Sequence, residues 1–222
     1  MKLDHASALT AQAPVSVRPF RDADAAAWEA FVRACPEATF FHRLGWREIL
    51  RDVFRHAPHY LLAERGGAIV GVLPLAQVKS LFGHGLVSLP FAVYGGVAAM
   101  DAAARQALHA AAVDLASATQ DIVIDAFRRE ILPDEEANLL AIPRKQRAMV
   151  RKGIQRGLVA EVDAGVDRFF ALYADNQHRH GTPPHGIRYF QALRRVFGDD
   201  CEVLTVLGPQ GKPVSGVLSF YW

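Results

Sequence analysis

Two glycines between two apolar runs constrain the fold of this chain more than any other feature. YLLAER begins at Tyr60, AIVGVLPLAQV begins at Ala68, and Gly66-Gly67 lies between them. Consecutive glycines supply the positive φ angles of a tight hairpin turn, and the flanking runs have the composition of strands. A hairpin commits this part of the chain to an antiparallel sheet. Pro74 has no N–H for the ladder, so it marks a bulge or an edge in the second run.

The period of the apolar residues alternates on either side of that hairpin. Before it, VSVRPF (Val15–Phe20) reads as a short edge strand, and Asp22 or Asp24 can cap a helix that runs through Ala34 and buries Trp28 and Phe31. Pro36 ends it. Thr39 to Phe41 is expected to be extended, ahead of a second helix carrying Trp46, Ile49, Leu50 and Phe54. After the hairpin, LVSLPF and VYGGVAA read as extended pieces. Asp101–Ser117 reads as an Ala-rich helix capped by Asp101, and Asp121–Phe127 as a strand. This order predicts an α+β fold on a mostly antiparallel sheet.

A second unit begins near Arg128, giving expected domains of 14–127 and 128–222. It opens with a basic helix over Ile142–Leu158, with Pro143 at its first position and Gly157 just past its end. A strand at Val159–Asp163, helices at Val166–His180 and Ile187–Phe197, and a hairpin turning at Gly208–Gly211 follow. The order loosely echoes the first unit. The last strand runs to Trp222 with no polar tail, so the second sheet is expected to be incomplete, as in a truncated chain.

The basic helix is the clearest candidate site. On a wheel at 100° per residue, Arg144, Lys145, Arg147, Arg151, Lys152 and Arg156 share one half. Ile142, Met149, Val150 and Ile154 share the other, which is expected to pack. Six cations with no acid in the window have no neutralising i,i+4 partners. The helix is therefore either a solvated basic face or a site for phosphate on a nucleotide-linked substrate, a coenzyme or an RNA end. The net charge of the 222 residues is only +2, too small for a protein that coats nucleic acid.

Other candidates each carry a plainer alternative. Tyr94-Gly95-Gly96 can bring bare backbone up to a ligand, or can form a bulge between strands. His42 and Trp46, one helical turn apart, can line a pocket, or can be a helix-start contact with the Trp in the core. His178, His180, Thr182 and His185 surround Pro183-Pro184, where a histidine can act as general base or cap a helix end. Lys79-Ser80 can contact a phosphate or be merely exposed. Asp125 can orient an amine. His56 and His59 lack a Cys or carboxylate with metal geometry, so no metal is expected. Cys35 and Cys201 lie far apart outside any CxxC or Cys/His ligand spacing and read as reduced thiols, no apolar h-region opens the chain, and no run is long enough to span a bilayer. A cytoplasmic protein is the expectation.

FFHRLGW, LPLAQVKSLFG, LVSLPFAVYGGV, IPRKQRAMVRKGI and the late Gly-Thr-Pro loop together resemble the FemAB family. They look most like its branch associated with exosortase/PEP-CTERM and exopolysaccharide loci. The resemblance implies tandem GNAT-like domains (the acyl-CoA N-acyltransferase fold), with mostly antiparallel mixed sheets flanked by helices. It also implies transfer of an acyl or aminoacyl group to a peptidoglycan or exopolysaccharide precursor. Acyl-CoA or aminoacyl-tRNA would be the donor, no cofactor would be tightly bound, and the partners would be a lipid- or nucleotide-linked envelope precursor and possibly tRNA. The basic helix matches the family's Arg/Lys–Gly segment where the second domain opens. The chain departs from the family in having fewer residues around Asp125 and Phe127, and the family continues past the final strand. A non-catalytic module that docks RNA or an anionic polysaccharide is the alternative from a different class.

Overall fold

The computed structural model of the protein describes residues 13–80, 83–92, 94–116 and 133–222. The strand expected at Asp121–Phe127, with Asp125, lies outside them, as do the side chains of Lys79 and Ser80. Contacts divide the chain into two units, Met1–Ala126 with Trp222, and Phe127–Tyr221.

The Gly66-Gly67 turn forms as its sequence requires, with φ of 58° and 82°. It joins β3 (Leu61–Arg65) to β4 (Ala68–Leu73), and β1 (Ser16–Pro19) pairs antiparallel with β3 at the sheet edge. β7 (Ala98–Ala99) pairs on the far side of β4, giving the order β1-β3-β4-β7. Pro74 proves to be a sheet switch. β4 stops at Leu73, and the chain continues as β5 (Leu75–Ser80) in a second sheet, β2-β5-β6, with β2 at Ala57–Pro58 and β6 at Gly83–Ser88.

Strand alternation sends Leu61, Ala63, Gly71 and Leu73 to one face of the first sheet, where helix α3 (Ala102–Ala116) packs. Leu108 of α3 is fully buried and reaches into the space over Gly71, where an added Cβ would sit 2.9 Å from the Leu108 Cδ1. Leu62, Val72 and Ala98 point the other way, the side on which α1 (Ala25–Ala34) buries Trp28 and Val32. Asp101 caps α3, its carboxylate accepting from the Ala104 N–H at 2.9 Å.

Four expectations about this unit need correction. Asp24 caps the 3-10 turn Asp22–Asp24 ahead of α1, accepting from the Arg21 N–H at 2.7 Å; it makes no side-chain cap on α1 itself. Phe40–His42 is a 3-10 turn capped by Thr39, whereas an extended piece was expected there. Helix α2 (Gly45–Asp52) buries Trp46, Ile49 and Leu50 but ends before Phe54. LVSLPF is extended only to Ser88, since Leu89 and Phe91 take φ of 46° and 69°, and VYGGVAA is a strand only at β7.

The second unit holds α4 (Glu135–Ala141), α5 (Arg144–Gln155), β8 (Val159–Asp163), α6 (Asp167–Arg179), α7 (Ile187–Phe197), β9 (Cys201–Leu207) and β10 (Pro213–Phe220). Its sheet runs β10-β9-β8, antiparallel throughout. Helix α6 lies on β10, with Phe169 and Leu172 against Gly216, and α7 buries Tyr189, Phe190 and Leu193. Asp163 at the end of β8 ties strand to helix, accepting from Arg168 of α6 and, at 2.7 Å, from the Thr205 hydroxyl. These charge-assisted bonds hold its carboxyl below the ordinary carboxylate range.

Candidate functional site

Helix α5 begins one residue later than the sequence suggests. Pro143 has extended backbone and occupies the cap position, and Arg144 is the first helical residue. Gly157 takes φ +72°, donating to the Ile154 carbonyl, while the Leu158 N–H reaches back to the Gly153 carbonyl. That pair of bonds is a Schellman ending, which needs the left-handed residue that Gly supplies without a Cβ penalty.

The expected division of α5 into a packed half and a cationic half fails on the packed half. Met149, Val150 and Ile154 are 66%, 42% and 67% exposed, and no residue of α5 is buried. Arg144, Lys145, Arg151, Lys152 and Arg156 are also exposed, and among the described residues none of them forms an ion pair. Arg147 differs. Its guanidinium donates to the Leu140 carbonyl at 2.9 Å and to the Ile142 carbonyl at 3.1 Å, closing the corner between α4 and α5.

In the first unit the structure brings two of the sequence candidates, Tyr94 and Trp46, to the ring of Phe41. Tyr94 stacks on Phe41 at 5.5 Å, and Phe41 lies 5.4 Å from Trp46. The Tyr94 hydroxyl is buried and has no hydrogen-bond partner among the described residues. His42, next to Phe41, is buried; its Nδ1 accepts from the Thr39 N–H at 3.1 Å, which in the neutral ring leaves the proton on Nε2. The main-chain carbonyl of His42 accepts from the Trp28 Nε1–H at 2.8 Å. The His42 segment therefore both pins the core and stands beside the Phe41–Tyr94 stack.

Gly95 and Gly96 have partners inside the protein. A Cβ on Gly95 would lie 2.6 Å from the Ser88 carbonyl oxygen, and Gly96, at φ +96°, donates to the Ser88 Oγ at 2.7 Å. Ser88 passes the chain of bonds on to the Pro74 carbonyl at 2.8 Å. Bare backbone here fits against β6.

His180 and Thr182 follow α6 and are exposed. They contribute main-chain bonds to a second Schellman ending: Gly181 takes φ +68° and donates to the His178 carbonyl, and Thr182 donates to the Gln177 carbonyl. His185 packs its ring on Tyr189 at 5.2 Å, and its N–H donates to the Tyr173 hydroxyl. No cluster of three or more metal-ligating side chains occurs among the described residues.

Sequence reasoning missed one feature, a cleft of about 200 Å³ between the start of α1 and α2. Arg47 crosses it, 5.1 Å over the Phe20 ring and 3.2 Å from Asp22, with Arg51 and Glu48 on the same helix. The Tyr60 hydroxyl in the neighbouring core is buried without a partner among the described residues, and burial pushes its pKa well up. The i,i+4 spacing of Arg47 and Arg51 was the signal available in the sequence. At this volume the cleft is smaller than the roughly 300–1,000 Å³ of sites for whole small molecules.

The two units define an α+β, GNAT-related architecture of antiparallel sheets flanked by helices. Among solved structures it matches the crystal structure of FemX, with a TM-score of 0.56 and 17% identity over 86% of this chain. The chain spans 57% of the FemX chain. The likeness is one of fold; it agrees with the fold implied by the FemAB resemblance and does not reach the exosortase-associated branch. No protein-family model and no curated protein matches the chain. Among the described residues no helix is long and apolar enough to cross a membrane.

Proposed function

We propose that this chain is a FemAB-like transferase that moves an aminoacyl group onto the amine of a cell-envelope precursor, of peptidoglycan or of an exopolysaccharide. The exposed cations of α5, which form no ion pair among the described residues, would hold phosphates of donor or acceptor. The observation that carries the reading is the FemX-like fold over 86% of the chain, with that row of cations opening its second unit.

Such a transfer asks little covalent chemistry of the protein. The acceptor amine loses a proton and attacks the acyl carbonyl carbon; the ester oxygen of the donor then leaves with a proton. Direct transfer in a ternary complex suits the residues present. Both cysteines are buried, and burial raises the Cys201 thiol to about 11, far from a reactive thiolate. The buried Tyr94 hydroxyl, lacking a partner among the described residues, is the polar group we assign to the bound substrate.

Two features favour aminoacyl-tRNA over acyl-CoA as donor. A pyrophosphate is ordinarily held at a helix N-terminus that follows a central strand. Here β4 leads through Pro74 directly into β5, with no helix between them. The N-terminus of α3 is already occupied by the Asp101 carboxylate, which Arg65 pairs at 2.6 Å and holds at a pKa of about 2.

Thermal shift and native mass spectrometry with aminoacyl-tRNA, acetyl-CoA and a UDP-sugar test the proposal. A shift with aminoacyl-tRNA and none with acetyl-CoA is expected. Tyr94→Phe should lower transfer at least about tenfold with stability unchanged or slightly raised, since an unpaired buried hydroxyl costs about 1–3 kcal/mol. No response to any of the three ligands, with no transfer, would move the assignment to a non-catalytic anion-binding module.

A further inference from the structure

We infer that α5 is an interfacial helix that docks this chain on an anionic lipid bilayer. Met149, Val150 and Ile154 would enter the headgroup–acyl boundary, and the flanking Lys and Arg residues would lie among the headgroup phosphates.

Among the described residues both halves of α5 stand open at once, apart from Arg147, which bonds the α4–α5 corner. Helices of water-soluble domains bury their apolar half, as α1 does with Trp28, Phe31 and Val32. Among the described residues no side chain of α5 is buried, although Met149, Val150 and Ile154 lie within one arc of its wheel. Leu140 before it and Leu158 after it are exposed as well. The cationic half starts at the borders of that arc, with Arg147 on one side and Lys145 and Arg156 on the other. A basic helix with an open apolar stripe and long cationic side chains along its borders is the pattern of in-plane membrane helices, in which the side chains snorkel to the phosphates.

The charge pattern selects a bilayer over other occupants. A free phosphate or an RNA engages the cationic half and leaves the apolar half in water. A second copy, pairing stripe to stripe, would bring the border cations of two helices together with no acid on either to offset them. An anionic bilayer answers both halves, and the cations gain from its negative surface potential. The inference concerns the helix that the proposed function assigns to phosphate, but it rests on exposure and charge and holds or fails independently of catalysis.

Flotation of the full chain with vesicles tests it, using phosphatidylcholine alone or phosphatidylcholine with one third phosphatidylglycerol. Binding to the anionic vesicles only is expected. Met149→Ser with Ile154→Ser should weaken it at least about tenfold, because insertion strength follows the apolar area buried. Circular dichroism and thermal melting should be unchanged, since both residues are exposed. Ile154→Trp should give an emission blue shift on anionic vesicles and be quenched by brominated lipid.

Absence of flotation overturns the inference. So does binding that Arg151→Glu with Lys152→Glu abolishes but the serine pair leaves intact, which would mark simple adhesion of cations to phosphate. Dimerisation in solution that the serine pair abolishes would assign the stripe to a second copy and likewise overturn it. Aminoacyl transfer to a water-soluble acceptor, measured in parallel, separates the two proposals: transfer without flotation removes the membrane helix and leaves the transferase.

Discussion

The two units share a course of elements and differ in what covers their sheets among the described residues. In each, a strand is followed by two helices and a hairpin, and the first strand pairs antiparallel with the first strand of the hairpin. Each also ties its first strand to the following helical segment by charge. In the first unit Arg18 of β1 pairs with Asp24 and with Glu64, both at 2.7 Å; in the second Asp163 of β8 pairs with Arg168. The polarity of the clasp is reversed between them.

The first sheet is then covered on its second face by α3. In the second sheet Val162, Leu204 and Val217 stand in register across the three strands on the face away from Gly216 and α6, and both valines are exposed. A shared strand-helix-helix-hairpin course therefore accompanies the same strand order and pairing in both units, and in the first unit it is α3 that makes the second face core.

The largest effect that would test this contrast is in α3. Leu108→Ala should destabilise the first unit by roughly 2–5 kcal/mol, as loss of a fully buried leucine does. Val217→Ser on the open face of the second sheet should change stability by less than about 0.5 kcal/mol. Denaturant unfolding followed by separate probes in each unit measures both. A large loss at Val217 would mean that the face is covered.

Next comes Gly95→Ala. A Cβ placed 2.6 Å from a backbone oxygen forces the turn off β6, at a cost of roughly 1–3 kcal/mol. Gly186→Ala in the second unit meets open space and should cost much less. Equal melting temperatures for the two variants would remove the packing role given to Gly95.

Acid titration probes the clasps and carries the smallest effect. Arg18 holds Asp24, and Arg65 holds Asp101, at about pH 2 in the folded chain. Between about pH 4, where a free Asp titrates, and about pH 2 the unfolded chain binds more protons than the folded one. The stabilisation is thus full above about pH 4 and lost as pH falls through about 2. Arg18→Gln should raise the acid midpoint of the first unit and leave the second unit unmoved. A common shift in both would mean that the clasps do not act separately.

Much of this was legible in the residues. The Gly66-Gly67 hairpin, the Ile187–Phe197 helix and the Val159–Asp163 strand stand where period and turn chemistry put them, because each depends on neighbours in sequence. The 3-10 turn at Phe40–His42 is just as local but was missed, since it is set by the Thr39 hydroxyl and the His42 ring bonding to main chain, which the apolar period does not show. The passage of the chain from one sheet to the next at Pro74 was half legible: the missing N–H announced a break, but its destination needed the second sheet.

Of the candidate site, the sequence by itself determined the six cations of α5, the apolar stripe opposite them and the helix that carries both, since these follow from residue spacing. It could not determine what the stripe touches. Exposure is a property of the surrounding fold, and only the tertiary structure decided that Met149, Val150 and Ile154 stay open while Leu108, on a less amphipathic helix, is buried. It also decided that Arg147 serves the α4–α5 corner, because the carbonyls it reaches are freed only where α4 ends. The Tyr94–Phe41 stack was likewise a tertiary outcome, since it joins rings far apart in sequence that no local pattern relates.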